Sequence, residues 1–204
     1  MTSRLIIIRH GMTYWNNESR YQGHTDIELN PEGIEQALAL QHRLAGTKLE
    51  AIYSSDLSRA YKTAEIIAQP HGLKVSIAPG LKEINFGAWE GLRYQDLLRD
   101  YPEQLQVWLE KPHDLDVPQG ETFPQVRDRA VAEVHKILLQ HQIGNVAIVT
   151  HGGTIAALIC GLLGEPLSCM WQYKQKNTAV NVMRKQGDRY ELELLNDISH
   201  LSKE

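Results

Sequence analysis

Leu5-Ile6-Ile7-Ile8-Arg9-His10-Gly11 and, far downstream, Val146-Ala147-Ile148-Val149-Thr150-His151-Gly152-Gly153 share one pattern: a charge-free apolar run that ends in a His-Gly turn. A continuous β-branched run without alternation predicts a strand buried on both faces, as in the middle of a parallel sheet. Working outward, Asn30-Pro31-Glu32-Gly33 opens a helix, with Asn30 as N-cap and Pro31 as first helical residue. Ile34, Ala37, Leu38, Gln41 and Leu44 follow at helical spacing, and Gly46 closes it. Ala51 to Tyr53 reads as a short strand. Ser54-Ser55-Asp56 then caps a helix whose apolar face is Leu57, Ala60, Ala64 and Ile67, and Val75 to Ile77 is a further short strand. Ala179 to Met183 and Tyr190 to Leu194 flank Gly187-Asp188, a hairpin signal. Strands alternating with helices predict an α/β fold with a mostly parallel sheet. From about Tyr94 to Gln142 the chain reads mostly helical, punctuated by Pro102, Pro112, Pro118 and Pro124. Val126, Ala130, Val134, Ile137 and Leu138 mark a long amphipathic helix there. The middle, about 94–142, is expected as a helical, cap-like insertion over one sheet edge, within a single domain spanning 1–204.

The 204 residues suit one domain with its own core. With 21 Lys+Arg against 25 Asp+Glu, the net charge of −4 gives no electrostatic footprint for nucleic acid, though it averages over any small cationic pocket. Two cysteines, Cys160 and Cys169, make a disulfide framework unnecessary and point to a reducing cytoplasm. Val146 to Gly164 is charge-free and about as long as a membrane span. His151-Gly152-Gly153 inside it favours a strand, a turn and a buried helix, so no membrane partner is expected.

Arg9-His10-Gly11 follows its strand directly, and ligands of open α/β sheets bind beyond the carboxyl ends of strands. Gly11 permits close backbone approach to a ligand. The Arg9 guanidinium suits phosphate or carboxylate, and His10 suits a nucleophile, base or ligand. The alternative is a strand-end turn with solvated polar groups. Thr150-His151-Gly152 repeats the arrangement, which would bring two imidazoles to one sheet edge; for His151 a helix-capping role stays open. Arg59 falls in the first turn of a helix, where the macrodipole disfavours a cation unless an anion shares that end. A surface Arg paired with a carboxylate is the alternative. Glu83 lies between apolar residues, and partial burial would suit it to acid catalysis. No P-loop, dinucleotide-binding glycine motif, zinc-protease helix or nucleophile elbow occurs. The remaining histidines and the two distant cysteines lack metal-ligand spacing.

Taken together, Ile8-Arg9-His10-Gly11-Met12-Thr13, Tyr21-Gln22-Gly23, Ser54 to Arg59 with Thr63-Ala64, Glu83 before Gly87-Ala88-Trp89-Glu90-Gly91, and Thr150-His151-Gly152 strongly resemble the histidine phosphatase superfamily, the phosphoglycerate mutase-like group. The resemblance runs from Leu5 to about Leu201. It implies a three-layer α/β/α fold with a mixed, mainly parallel sheet, and neither metal nor cofactor. It implies His10 as the nucleophile that becomes phosphohistidine, Arg9, Arg59 and His151 as binders of the transferring phosphoryl group, and Glu83 as proton donor and acceptor. Asn16, Gln22 and Gly23 match loop positions near the phosphate. The fixed acceptor for the second nitrogen of His10 is expected to be a backbone carbonyl near Gly11.

Cofactor-dependent phosphoglycerate mutases of the group are longer and hold a second acidic group with a Tyr, a Lys and an Arg-Arg pair after the acid Glu. Here that region reads Gly91-Leu92-Arg93-Tyr94-Gln95-Asp96, and the chain has no Arg-Arg pair. Trp89, Trp108, Leu109 and Pro112-His113 suit a pocket with apolar walls, although Trp108 spaces with Leu105 and Leu109 and is read first as core of the helical insertion, with pocket lining second. The ending Asn196-Asp197-Ile198-Ser199-His200-Leu201 is similar to the α-ribazole phosphatase and broad-specificity phosphatase branch, and phosphoserine phosphatases are similar too. The expectation is a phosphatase for a small phosphorylated metabolite, with α-ribazole 5′-phosphate the best named substrate. A mutase and a non-catalytic phosphate-binding module are the alternatives. A homodimer is left open, since the Ala179–Met183 strand could pair across one or lie inside the sheet.

Overall fold

The structure is a computed structural model that describes residues 2–201. In chain order it contains β1 (Thr2–Arg9), α1 (Tyr14–Asn17), α2 (Pro31–Leu44), β2 (Leu49–Ser54), α3 (Ser58–Ala68), β3 (Val75–Ile77), α4 (Tyr94–Asp100), α5 (Pro102–Glu110), α6 (Phe123–Gln140), β4 (Gly144–Thr150), α7 (Gly152–Leu163), β5 (Val180–Gln186) and β6 (Arg189–Asp197). The sheet order is β3-β2-β4-β1-β5-β6. The β3–β2, β2–β4 and β4–β1 pairings are parallel, while β5 runs antiparallel to β1 and to β6. The expected mixed, mainly parallel sheet is therefore present, with the two opening motifs on its adjacent central strands.

Successive residues of a strand point to opposite faces, and both faces of β1 and β4 are covered. Leu5, Ile7, Val146 and Ile148 pack with Val126, Ala130, Ile155, Leu158 and Ile159 of α6 and α7. Ile6, Ile8, Ala147 and Val149 pack with Leu40, Leu44, Ala60, Ala64 and Ile67 of α2 and α3. This double coverage explains why the two runs are continuously apolar. Truncating one such buried Leu or Ile to Ala costs about 2–5 kcal/mol.

Several local expectations shift. Asn30 caps α2 by accepting from the Gly33 N–H at 2.8 Å, but the helix ends at Leu44, and it buries Leu40 whereas Leu38 is 40% exposed. The N-cap of α3 is Leu57, one residue past the predicted Ser-Ser-Asp cap, and Ser55 Oγ accepts the Leu57 N–H at 3.2 Å instead. β5 lies inside the sheet between β1 and β6, the second of its two predicted placements. The helical middle divides. α4 and α5 are short and bury Leu97 and Leu105 beside Trp89 and Phe123, whereas α6 packs on α7 as part of the layer that covers the sheet. Val146–Gly164 resolves into β4 and α7 with His151 at the junction, and no helix among the described residues is long and apolar enough to cross a membrane.

Register places the chemistry. Arg9 stands opposite Thr150 in the β1–β4 pairing, and the His10 N–H donates to Thr150 O at 3.0 Å. His10 and His151 therefore leave the sheet side by side at its carboxyl edge. Gly11 is required there because α2 begins against it: a Cβ would run into the Gly33 carbonyl.

Candidate active site

His10 is buried, and its Nδ1 lies 2.7 Å from Gly11 O, the backbone acceptor expected from the sequence. A proton held on Nδ1 by that carbonyl leaves the Nε2 lone pair free for attack. Burial, reinforced by the Arg59 and Arg9 guanidiniums, holds the His10 imidazole well below its ordinary 6.5, so the ring is neutral at physiological pH. The His151 ring lies 5.1 Å from that of His10. It makes no capping bond to α7, which sets the capping alternative aside. Its Nδ1 accepts from Arg59 Nε at 3.3 Å, and its Nε2 lies 2.9 Å from Ser55 Oγ, so Nε2 carries the proton. Burial and Arg59 keep this imidazole neutral too.

Arg59 is fully buried, not a solvated surface residue. Its Nη2 donates to Gly23 O at 2.7 Å and its Nη1 to Thr25 O at 3.0 Å. Burial lowers its pKa to about 10, so it stays charged at neutral pH. Arg9 donates through Nη1 to Gln175 O at 2.7 Å, while its Nε is buried without a partner. A buried donor left unpaired is costly, and this one belongs to the cleft wall, where an anion can satisfy it.

Glu83 is not left among apolar groups. Its carboxylate accepts from Gly153 N at 3.1 Å, Thr154 N at 3.0 Å, Thr154 Oγ1 at 3.1 Å and Ile84 N at 3.0 Å. The start of α7 thus holds the acid, and the glycine there has a reason: a Cβ on Gly153 would stand 2.9 Å from Glu83 Oε1. Sequence reasoning missed the residues that hold this loop. Arg129 of α6 donates to the carbonyls of Gly80, Lys82 and Glu83 at 2.9, 2.6 and 2.8 Å and pairs with Glu121. Glu90 accepts from His24 N at 2.7 Å and Thr25 N at 2.8 Å, fixing the segment whose carbonyls hold Arg59. A polar residue on a helix gives no sequence sign that it reaches a remote loop.

Arg9, His10, Asn16, Gln22, Gly23, Arg59 and Glu83 line one cleft of ≈ 310 Å³, with Gly152 and Gly153 beside them. The Asn16 Oδ1 accepts from Thr13 N and the Gln22 Oε1 from Thr13 Oγ1, at 3.1 and 3.0 Å. With those oxygens committed, their amide N–H groups are the ends left for a ligand. Tyr21, Phe86, Trp108 and Trp171 wall the cleft, and Lys174 stands at its rim. Trp108, read as core before pocket wall, is both: it stacks on Phe123, meets Trp171 edge-on at 4.7 Å and faces the cleft. Trp89 is fully buried and Leu109 is 52% exposed, so neither forms the expected wall. A larger groove, ≈ 670 Å³, between His135 and Tyr190 contains none of the predicted site residues. Among the described residues, no three His, Cys, Asp or Glu side chains cluster as a metal site would require.

Such a site, with two neutral imidazoles, a buried and a half-buried guanidinium and an oriented carboxylate, offers the positioning and charge stabilisation that transfer of a phosphoryl group needs. Comparison with known proteins agrees. The family model described as "Histidine phosphatase superfamily (branch 1)" matches residues 5–198. The chain is 33% identical over 198 residues to "Phosphoserine phosphatase 1" of Hydrogenobacter thermophilus, covering 97% of this chain and 94% of that one. It is 37% identical over 203 residues to "Phosphoglycerate mutase-like protein 4" of Arabidopsis thaliana, covering 98% and 87%. The solved structure of the alpha-ribazole phosphatase from Shigella flexneri superposes with a TM-score of 0.87 at 29% identity, covering 98% of this chain and 100% of that one.

Proposed function

The chain belongs to the histidine phosphatase superfamily and is a phosphoric monoester hydrolase; we propose that it works through a phosphohistidine on His10, with a small phosphorylated metabolite as substrate. The observation that carries this reading is the pair of imidazoles 5.1 Å apart, flanked by buried Arg59 and by the unpartnered Nε of Arg9. In the first step His10 Nε2 attacks phosphorus, the bond to the leaving oxygen breaks, and Glu83 gives that oxygen its proton. Arg9 and Arg59 take the charge of the non-bridging oxygens, His151 joins them by turning its Nε2 proton from Ser55 Oγ to a phosphoryl oxygen, and the Gly11 carbonyl stabilises the positive imidazole. In the second step water attacks phosphorus, Glu83 takes the proton, the N–P bond breaks and phosphate leaves. The cations and imidazoles on hand supply the charge stabilisation, so no metal is invoked. Asn16, Gln22 and Gly23 orient the phosphate from the opposite loop.

For the organic half, the aromatic wall of Tyr21, Phe86, Trp108 and Trp171 suits a planar ring, which supports α-ribazole 5′-phosphate. A second reading, phosphoserine, is favoured by Lys174, an exposed cation at the rim over the Trp171 ring. The free thiols of Cys160 and Cys169 support a reducing, cytoplasmic setting. The test is a panel of phosphomonoesters assayed with chelator present. Hydrolysis that persists in chelator and an acid-labile label lost in His10→Ala are expected. Loss of activity in chelator contradicts metal-free chemistry, and isomerisation of 3-phosphoglycerate faster than any hydrolysis contradicts the phosphatase assignment. Turnover that survives His10→Ala rules out the covalent step.

A further inference from the structure

The closing motif Asn196-Asp197-Ile198-Ser199-His200-Leu201 takes no part in this chemistry, yet hydrogen bonds through the Asn177-Thr178 turn tie it to His10. Arg43 of α2 forms an ion pair with Asp197 and donates through Nη1 to His200 Nδ1 at 3.2 Å. Because that nitrogen accepts, the proton of the neutral ring sits on Nε2, which donates to Thr178 Oγ1 at 3.0 Å. Burial and Arg43 keep the ring neutral by lowering its pKa to about 4. Thr178 Oγ1 then donates to Asn177 O at 2.8 Å. From this turn Asn177 Nδ2 and Thr178 N donate to the His10 carbonyl at 3.1 and 3.3 Å. A second branch starts at Asn196, whose Oδ1 accepts the Lys176 N–H at 2.8 Å. The adjoining Gln175 carbonyl is the one that holds Arg9.

Thr178 shows that this turn is held rather than relaxed. It is fully buried with φ +54°, a left-handed conformation that a β-branched residue adopts only when its surroundings impose it. Among the described residues, its side-chain partners are the Asn177 carbonyl and His200.

We propose that His200 is a positioning residue for the nucleophile: through Thr178 it locks the 175–178 turn, which in turn aims the backbone of Arg9 and His10. The role rests on the phosphohistidine reading above. It assigns a use to a motif some 190 residues from the nucleophile in sequence, by connecting the last segment of the fold to the first strand.

The test compares His200→Ala, Thr178→Val and Thr178→Ser with the wild type, using p-nitrophenyl phosphate as probe below the melting temperature of every variant. His200→Ala and Thr178→Val are expected to lower kcat and the rate of phosphoenzyme formation by roughly 10- to 100-fold, with a smaller rise in KM, because Arg59 stays in place while the attacking atom, and with it Arg9, is misplaced. Thr178→Ser keeps the hydroxyl and is expected to retain kcat. The second readout is the 1H–15N NMR signal of the His10 imidazole, which should move in His200→Ala and Thr178→Val but not in Thr178→Ser. Variants that melt earlier yet keep wild-type kcat and an unmoved His10 signal would show a stabilising role only and overturn the proposal. A wild type that forms no phosphoenzyme overturns the phosphohistidine reading instead, and the NMR comparison then still decides the positioning role. Should His200→Ala fail to fold, Thr178→Val carries the same comparison.

Discussion

Arg59→Met separates what the buried guanidinium does for the fold from what it does for the chemistry. A pKa lowered from the ordinary guanidinium value to about 10 corresponds to about 3 kcal/mol spent holding this charge out of water. Met has a similar length and no charge, so the substitution removes that cost. It also removes the hydrogen bonds to Gly23 O and Thr25 O, each a bond from a charged donor worth about 1.5–3 kcal/mol. The two effects oppose one another at similar size, and the expected net loss of stability is ~0–3 kcal/mol, a shift of up to roughly 10 °C in Tm for a chain of this length. Activity has no such compensation. Losing one preorganised donor to the transferring group costs ~10²–10³ in kcat, and loss of the Arg59–His151 contact adds to it. The assay is urea unfolding alongside kcat/KM for the best substrate of the panel. A variant that unfolds outright, or one that keeps kcat/KM within about tenfold of wild type, would refute the reasoning, since the first makes Arg59 mainly structural and the second makes it dispensable.

Three further outcomes are expected. His10 and His151 are held neutral well below 6.5, so the unfolded chain binds more protons than the native one below that pH. Stability should be full above about pH 6.5 and fall as pH drops, by up to about 1.4 kcal/mol per pH unit for each imidazole; a flat urea midpoint between pH 7.5 and 5.5 would contradict this. Gly153→Ala gains helix propensity of about 1 kcal/mol but pushes a methyl to 2.9 Å from Glu83 Oε1, so thermal scans should show an intact fold while kcat drops roughly tenfold. Trp108→Ala should raise KM more for substrates with a planar ring than for p-nitrophenyl-free aliphatic phosphates, by about 1 kcal/mol or fivefold, and equal KM changes across both sets would remove Trp108 from substrate contact.

The two strand-turn motifs were legible because burial on both faces leaves an unmistakable sequence trace, a charge-free β-branched run broken by His-Gly. Arg59 was legible as an anomaly, a cation in a first helical turn. Glu83 was found through its motif, but its surroundings were misread: the apolar neighbours in sequence point elsewhere, while the start of α7, some 70 residues on, supplies its donors. Arg129 left no trace and Glu90 showed only as a letter of the Gly87–Gly91 motif, because nothing local distinguishes a side chain that grips distant backbone from one that faces water. Trp108 was half legible for a related reason. Its helical spacing identifies an inward direction, and inward here means both the packed Phe123 and the open cleft. The helical middle was placed over one edge as a unit because prolines mark breaks but not packing; the face of α6 that meets α7 is the same apolar stripe a cap helix would carry.

How a chain of net charge −4 sustains a cationic site follows from the acceptors its guanidiniums use. Arg9 donates to a carbonyl, and Arg59 to two carbonyls and an imidazole. Neutral acceptors orient a guanidinium without cancelling its charge, whereas a bonded carboxylate would orient and quench it together. The retained charge acts on the imidazoles before substrate arrives, which is why both guanidiniums depress His10. A phosphomonoester dianion entering between them offsets that field. On the proposed mechanism, the same event that places phosphorus before Nε2 reduces the repulsion opposing a positive imidazole, so substrate binding itself would raise the basicity of His10. On that mechanism, guanidiniums that hydrogen-bond to neutral acceptors, with the Glu83 carboxylate acting on them from a distance, leave an imidazole that is neutral before substrate binds and can then carry the phosphoryl group.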